Sequence, residues 1–295
     1  MLEKQLNSAI DVSVVVPVYN ADDTIENCVK SLLETDYPKN QFEILFVNNN
    51  SNDRTLEILE NYNKEIKIIH ENKRGPSAAR NKGILNAKGK YIAFTDADCI
   101  IHKEWLSNII KPLERKKIGI VGGKTTIMPG ANYIEQFCEK IHDHERTLFR
   151  KRPRAVSLNW ASRKEVLQEL GMFDEDFIRA QDTELSFRVF KAGYKFEYEP
   201  NAIVYHKEAS TYKELFHKGY LSGCYGIIFY KKHYNALKKL GHNRFNTKVY
   251  FRIVENLINI VKGKEVDNSK CFVVFQAGRL FGRVHGWMKF KHIEL

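Results

Sequence analysis

What this 295-residue sequence lacks narrows its class before any motif is read. Its five cysteines, Cys28, Cys99, Cys138, Cys224 and Cys271, are odd in number, scattered and never spaced Cys-x-x-Cys. That excludes a disulfide framework or a structural zinc site and fits a reducing cytoplasm. No run of 18 apolar residues occurs, so no membrane-spanning helix is expected. The stretch from Met1 to Ile10 carries Glu3 and Lys4 and no apolar core, so no secretory signal is expected there. No Gly-x-Gly-x-x-Gly run is present, which removes the dinucleotide-binding dehydrogenases. The first strand-like run ends in Pro17-Val-Tyr-Asn20, which is not the glycine-rich phosphate loop that a nucleotidyltransferase needs there. Helix-turn-helix, zinc-finger and RNA-recognition signatures are missing too.

What is present is a globular composition, 43% hydrophobic and 28% charged, with an uneven charge distribution. Residues 1–206 hold 30 basic and 30 acidic side chains, whereas residues 207–295 hold 17 and 6. The whole formal charge of +11 therefore lies in the last part of the chain, which suggests an anionic partner: a membrane surface, a phosphorylated acceptor or nucleic acid. The first hundred residues alternate short Val/Ile/Phe-rich runs with segments of helical period, as expected of βα units around a parallel sheet. Strands are predicted at Val12–Pro17, Phe42–Val47, Ile66–His70 and Tyr91–Thr95, with helices near Thr24–Leu33, Thr55–Asn61 and Ser77–Leu85. Asp22 or Asp23 is expected to cap the first helix, and Asp53 or Ser51 the second. Antiparallel strands are expected in the second half, around Asn159–Arg163 and Tyr198–His206. Beyond Ser210 the text is basic and amphipathic, and Phe275–Phe290 reads as an interfacial or packing helix.

Ligands of open parallel sheets bind outside the carboxyl ends of the strands, and here those ends are polar. The fourth strand runs into Asp96-Ala-Asp98, and two carboxylates two residues apart in extended chain project to one side. Such a pair can hold Mg²⁺ or Mn²⁺, which completes its shell with phosphate oxygens and neutralises a departing diphosphate. Val14-Val-Val-Pro-Val-Tyr-Asn20, Val47-Asn-Asn-Asn-Ser-Asn-Asp-Arg-Thr55, Gly75-Pro-Ser-Ala-Ala-Arg-Asn81 and Tyr91-Ile-Ala-Phe-Thr-Asp-Ala-Asp98 resemble, in order and spacing, the donor half of family 2 of the nucleotide-diphospho-sugar glycosyltransferases. Asn159-Trp-Ala-Ser-Arg163, Gly171-Met-Phe-Asp-Glu175, Gln181-Asp-Thr-Glu-Leu-Ser-Phe-Arg188 and Pro200–His206 resemble its acceptor half, so the likeness covers roughly residues 11–230.

The resemblance implies a GT-A type α/β fold, a Rossmann-like sandwich with a mostly parallel central sheet. It implies a donor half at 11–100 and an acceptor half at 101–206, followed by a basic, helical C-terminal extension at 207–295. It places Pro17, Tyr19, Asn20, Asn49, Arg80 and Asp96 around the donor nucleotide, with Tyr19 near the base and Asn49 at the base edge. Asp96, Asp98 and His206 become the divalent-metal set. Asp182 is the general base that takes the acceptor hydroxyl's proton in an inverting transfer, and Asn159 and Trp160 are the acceptor contacts, the indole stacking on a sugar ring. Two positions depart from the family pattern. Asn49 stands where many relatives carry Asp, which leaves the donor base open, and Gln181 precedes Asp182 where relatives show Glu. Processive polysaccharide synthases share the first half but add membrane spans and a Gln-x-x-Arg-Trp run that this sequence lacks. The expectation is therefore single-sugar transfer to a saccharide or lipid-linked acceptor, in the cytoplasm with peripheral contact at the inner face of the membrane. The competing readings are a catalytically silent nucleotide-sugar-binding or scaffold protein and, further off, a nucleic-acid-binding protein.

Overall fold

A computed structural model describes residues 10–141, 143–150, 152–241 and 247–291. The expectation of a signal-free N-terminus falls mostly on residues 1–9, outside the described residues. The strands are β1 (Val12–Val18), β2 (Phe42–Asn48), β3 (Lys67–His70), β4 (Tyr91–Thr95), β5 (Cys99–Ile101), β6 (Ile118–Ile127), β7 (Asn159–Arg163) and β8 (Lys195–His206). The helices are α1 (Ile25–Leu33), α2 (Thr55–Glu60), α3 (Pro76–Asn86), α4 (Trp105–Ile110), α5 (Tyr133–Glu139), α6 (His144–Leu148), α7 (Lys164–Glu169), α8 (Gln181–Lys191), α9 (Tyr212–Lys239), α10 (Thr247–Val261) and α11 (Val266–Phe290).

The chain divides into two compact units. The first comprises Met1–Thr126, His142–Asp176 and Gln181–His206 and carries the sheet, whose strand order is β3-β2-β1-β4-β7-β6-β8-β5. The donor half is parallel, β1 pairing with β2 and β4, and β2 with β3. The second half is antiparallel, through β4 with β7, β6 with β7 and β5 with β8. Successive residues of β1 serve opposite faces, as the pleat requires. Val12, Val14 and Val16 pack with Ile25, Cys28, Val29 and Leu32 of α1, while Val15 packs with Ala79 and Ile84 of α3. A strand buried on both faces explains the unbroken apolar run in the sequence. The expected caps hold in neither helix. Asp53 Oδ1 accepts from the Thr55 amide (3.0 Å) at the start of α2, but from the residue before the N-cap, which is Arg54 and makes no side-chain cap hydrogen bond. At α1, Thr24 takes the N-cap position without a side-chain cap hydrogen bond, and the Asp22 amide instead donates to Asp53 Oδ2 (3.2 Å).

The second unit comprises Ile127–Ile141, Phe177–Ala180 and Lys207–Leu295, so it includes two stretches that the sequence reading assigned to the catalytic part. Ile134 and Cys138 of α5 pack with Leu215 of α9 and Cys271 and Phe275 of α11. Capping boxes start both α5 (Asn132 with Glu135) and α9 (Thr211 with Glu214). Helices α9 and α11 run in the same direction with their backbones in contact. A Cβ at Gly278 would strike the Phe216 carbonyl oxygen, and one at Gly282 that of Tyr220. Only glycine permits that approach. The expected helix at Phe275–Phe290 is thus a packing helix along this side.

Candidate active site

The acidic motif does not sit on an extended strand, as its spacing suggested. β4 ends at Thr95, and the Cys99 amide donates to the Asp96 carbonyl (3.1 Å), which closes a turn over Asp96-Ala-Asp98 before β5 begins. The antiparallel register of β5 with β8 then sets Cys99 opposite His206. Asp98 Oδ2 lies 3.5 Å from His206 Nε2 as a result. One oxygen of Asp98, the sulfur of Cys99 and one nitrogen of His206 lie within 4.8 Å of one another. The donor set fits a divalent ion, since two adjacent ligands at bond lengths near 2.1 Å are about 3 Å apart, a small contraction from the present spacing. Burial, and after it the charges of Asp98 and Asp96, push the Cys99 thiol well up. Burial also raises the Asp98 carboxyl, but the His206 hydrogen bond and charge, with its own amide and Cys99, outweigh this and hold it below the usual aspartate range.

Asp96 has a different partner. Arg80, on α3, is 2% exposed, and its Nη2 donates to Asp96 Oδ1 at 2.5 Å. Its guanidinium lies 5.7 Å from the Phe173 ring centroid. Arg80 thus has a role that sequence reasoning missed, that of holding the first carboxylate of the motif.

The loops after β1 and β2 are stitched together. Asn20, in the left-handed region (φ 46°), donates from Nδ2 to Asn52 Oδ1 (2.8 Å) and accepts from the Asn52 amide (2.9 Å). The Ala21 amide donates to Thr55 Oγ1 (2.8 Å). Pro17, in β1 opposite Val47, leads into Tyr19, whose ring is 53% exposed and free to lie against a flat base. Asn49 does not present its amide in this way. It is 5% exposed, with Nδ2 donating to the carbonyls of Glu71 and Lys73 (both 2.8 Å) and Oδ1 accepting from the Gly75 amide (2.8 Å). The expected base-edge contact is corrected to a positioning one: Asn49 shapes the 71–75 loop that leads into α3.

In the acceptor half, Asp182 stands in the first turn of α8, with Oδ1 accepting from the Thr183 amide (2.7 Å). Its other oxygen makes no hydrogen bond among the described residues. Two residues on, Glu184 is fully buried and pairs with Arg188 (Nη2 to Oε2, 2.6 Å), which fixes the helix. Asn159 and Trp160 are corrections. Trp160 is 0% exposed, its ring 4.9 Å from Phe94 and 6.0 Å from Phe173, so it has no face for a sugar. Asn159, equally buried, accepts from Trp105 Nε1 (2.8 Å) and donates to the carbonyls of Lys124 (2.9 Å) and Ala202 (3.1 Å). Both belong to the core under the site, and a buried polar side chain with all its partners inside the protein is a packing element.

The Glycosyl transferase family 2 model matches residues 13–171, and the chain belongs to that family. Glycosyltransferase AglE of Haloferax volcanii is 31% identical over 219 residues, covering 72% of this chain and 71% of that protein. A Methanococcus voltae relative named dolichyl N-acetyl-α-D-glucosaminyl phosphate 3-β-D-2,3-diacetamido-2,3-dideoxy-β-D-glucuronosyltransferase is 26% identical over 245 residues, covering 77% and 76%. Among solved structures, the mannosyltransferase PcManGT from Pyrobaculum calidifontis, in complex with GDP-Man and Mn²⁺, superposes with a TM-score of 0.69 at 18% identity, over 97% of this chain and 91% of that one. The fold is of the GT-A type, with C-terminal helices added.

Proposed function

We propose that the protein is an inverting, metal-dependent glycosyltransferase that moves one sugar from a nucleoside-diphosphate sugar to a hydroxyl of a saccharide or lipid-linked saccharide. The observation that carries this reading is the pairing of Asp98 with His206 at the carboxyl end of the sheet. Asp98 and His206 would hold Mn²⁺ or Mg²⁺, with Asp96 beside them on Arg80. When bound, the ion supplies charge to offset that of the departing diphosphate. Tyr19 covers the base, and the Asn20–Asn52 pair fixes the loop from which it projects. The free oxygen of Asp182 accepts the acceptor's proton as the hydroxyl oxygen bonds to the anomeric carbon, while the bond from that carbon to the diphosphate breaks on the opposite side. The configuration inverts and the nucleoside diphosphate leaves.

A lipid-linked acceptor is supported by the activity in the name of the Methanococcus voltae relative and by the positive charge of residues 207–295. A peripheral contact with an anionic membrane follows from the same charge. The test is substitution at the base. Asp182→Asn should bind donor as the unaltered protein does, in a Mn²⁺-dependent thermal shift, yet lose transfer by about 10²–10⁴-fold. Undiminished turnover in that variant, or transfer that survives chelation, refutes the reading.

A further inference from the structure

Helix α10 shows solvent the side that a helix of a globular protein ordinarily buries. Tyr250, Phe251, Val254, Leu257, Ile258 and Val261 follow the spacing of a single helical face. They are 46%, 74%, 55%, 46%, 46% and 87% exposed. The half-buried positions Val249, Ile253, Asn256 and Ile260 lie on another side of the helix. α10 packs beside α11, with the Arg252 guanidinium 4.6 Å from the Phe272 ring centroid. The apolar face therefore has no partner among the described residues. Lys248 and Lys262 border it by helical spacing with Glu255 between them, and Lys264 follows. No described helix is long and apolar enough to cross a membrane, and α10 has only 15 residues.

We propose that α10 is an interfacial helix that lies in the plane of an anionic lipid surface, with Phe251, Val254, Leu257, Ile258 and Val261 sunk at the headgroup boundary and the lysines on lipid phosphates. It rests on the reading of the basic region as membrane-facing and names the element that makes the contact. Charge selects lipid over a second copy of the chain. Pairing two such faces would bring together the lysines of both helices, in a region already carrying 17 basic and 6 acidic residues, whereas an anionic bilayer neutralises them. A short amphipathic helix with an apolar face and a basic border inserts to the depth of its side chains and goes no further. The aromatics Phe281, Trp287 and Phe290 of α11 are not equivalent to this face. Phe281 is exposed (65%), but Trp287 is half-buried, and Phe290 packs 5.9 Å from Tyr225.

The experiment is flotation of the full chain with vesicles of phosphatidylcholine alone or mixed with phosphatidylglycerol. It compares the unaltered protein with Phe251→Glu/Val261→Glu, two exposed positions whose change leaves the packed side of α10 intact. The unaltered protein should float with the anionic vesicles alone, and the double variant should lose about 100-fold in partition coefficient, as expected for removing two buried apolar side chains and adding two like charges to the lipid's. Helix content by circular dichroism and transfer to a water-soluble acceptor should be the same in both, so a failure of the transferase reading is seen separately. If the unaltered protein ignores anionic vesicles, the membrane reading and this one both fall. Equal flotation of the two proteins overturns the assignment to α10 alone. If light scattering finds the unaltered protein dimeric and the variant monomeric, with flotation unchanged, the face belongs to a second copy and the proposal is wrong.

Discussion

Asp96 and Asp98 look equivalent in the sequence, yet their removal should have opposite physical consequences. Arg80 is 2% exposed, Asp96 is its ion-pair partner at 2.5 Å, and its Nε and Nη1 have no hydrogen-bond acceptor among the described residues. Asp96→Ala leaves that cation buried and uncompensated, a change that costs 3–5 kcal/mol in dry sites. The Asp96 side chain is 31% exposed, so water reaches the vacated space and the lower end applies, about 3 kcal/mol. For a domain of this size each kcal/mol moves the midpoint by roughly 2–4 °C, so the variant should melt about 6–12 °C below the unaltered protein. The Asp98 side chain is 42% exposed, so Asp98→Ala should stay within about 1 kcal/mol while abolishing transfer. The assay is thermal unfolding by circular dichroism in the presence of chelator, with transfer measured separately in Mn²⁺. A double variant, Arg80→Met/Asp96→Ala, should recover most of the lost stability, because it removes the stranded charge together with its partner. Equal melting of the two single variants, or no recovery in the double one, refutes the reasoning.

Trp160→Phe should destabilise by about 1–3 kcal/mol through the volume lost from the core, and leave the acceptor KM unchanged, because the ring is fully buried and its Nε1 has no hydrogen-bond partner in the described residues; a raised KM with unchanged melting would restore the acceptor role. Asn49→Asp should cost about 2–4 kcal/mol by chemical denaturation, since a carboxylate oxygen would face the carbonyls of Glu71 and Lys73. A variant as stable as the parent would show that the 71–75 loop does not depend on the amide. Gly282→Ala should force α9 and α11 apart at the Tyr220 carbonyl, read as lost helix content or early protease cleavage within residues 207–291; unchanged resistance counts against the close approach.

The parallel half was legible because strands buried on both faces write themselves as unbroken apolar runs, and β4 emerged with the very limits expected, Tyr91–Thr95. β6 was not, since Ile-Gly-Ile-Val-Gly-Gly-Lys-Thr-Thr-Ile shows neither strict alternation nor a continuous apolar run. Gly123 is needed there because the Ala202 carbonyl and the Asn159 side chain leave no room for a Cβ, a reason that lies far away in sequence. β5 was masked by its brevity and by the aspartates before it. Within the site, residue types were readable but partners were not. An asparagine reads the same whether it faces a base or, like Asn49, two carbonyls of a neighbouring loop, and an indole reads the same whether it stacks on sugar or, like Trp160, on Phe94. The apolar period of α10 was in plain view as well. What the sequence could not reveal was that this face remains uncovered.

The antiparallel pairing of β5 with β8 works as a ruler. His206 reaches Asp98 because it falls opposite Cys99, at the last position of a 12-residue strand. Side chains alternate along a strand, so a single inserted or deleted residue between Lys195 and Val204 would turn the imidazole to the far face of the sheet without changing any chemical group. A two-residue change would restore the face but shift the ring about 6–7 Å along the strand, out of reach of the carboxylate. Length in this segment is therefore under the same constraint as composition. Chimeras that exchange acceptor halves between relatives should be joined outside Cys99–Ile101 and Lys195–His206.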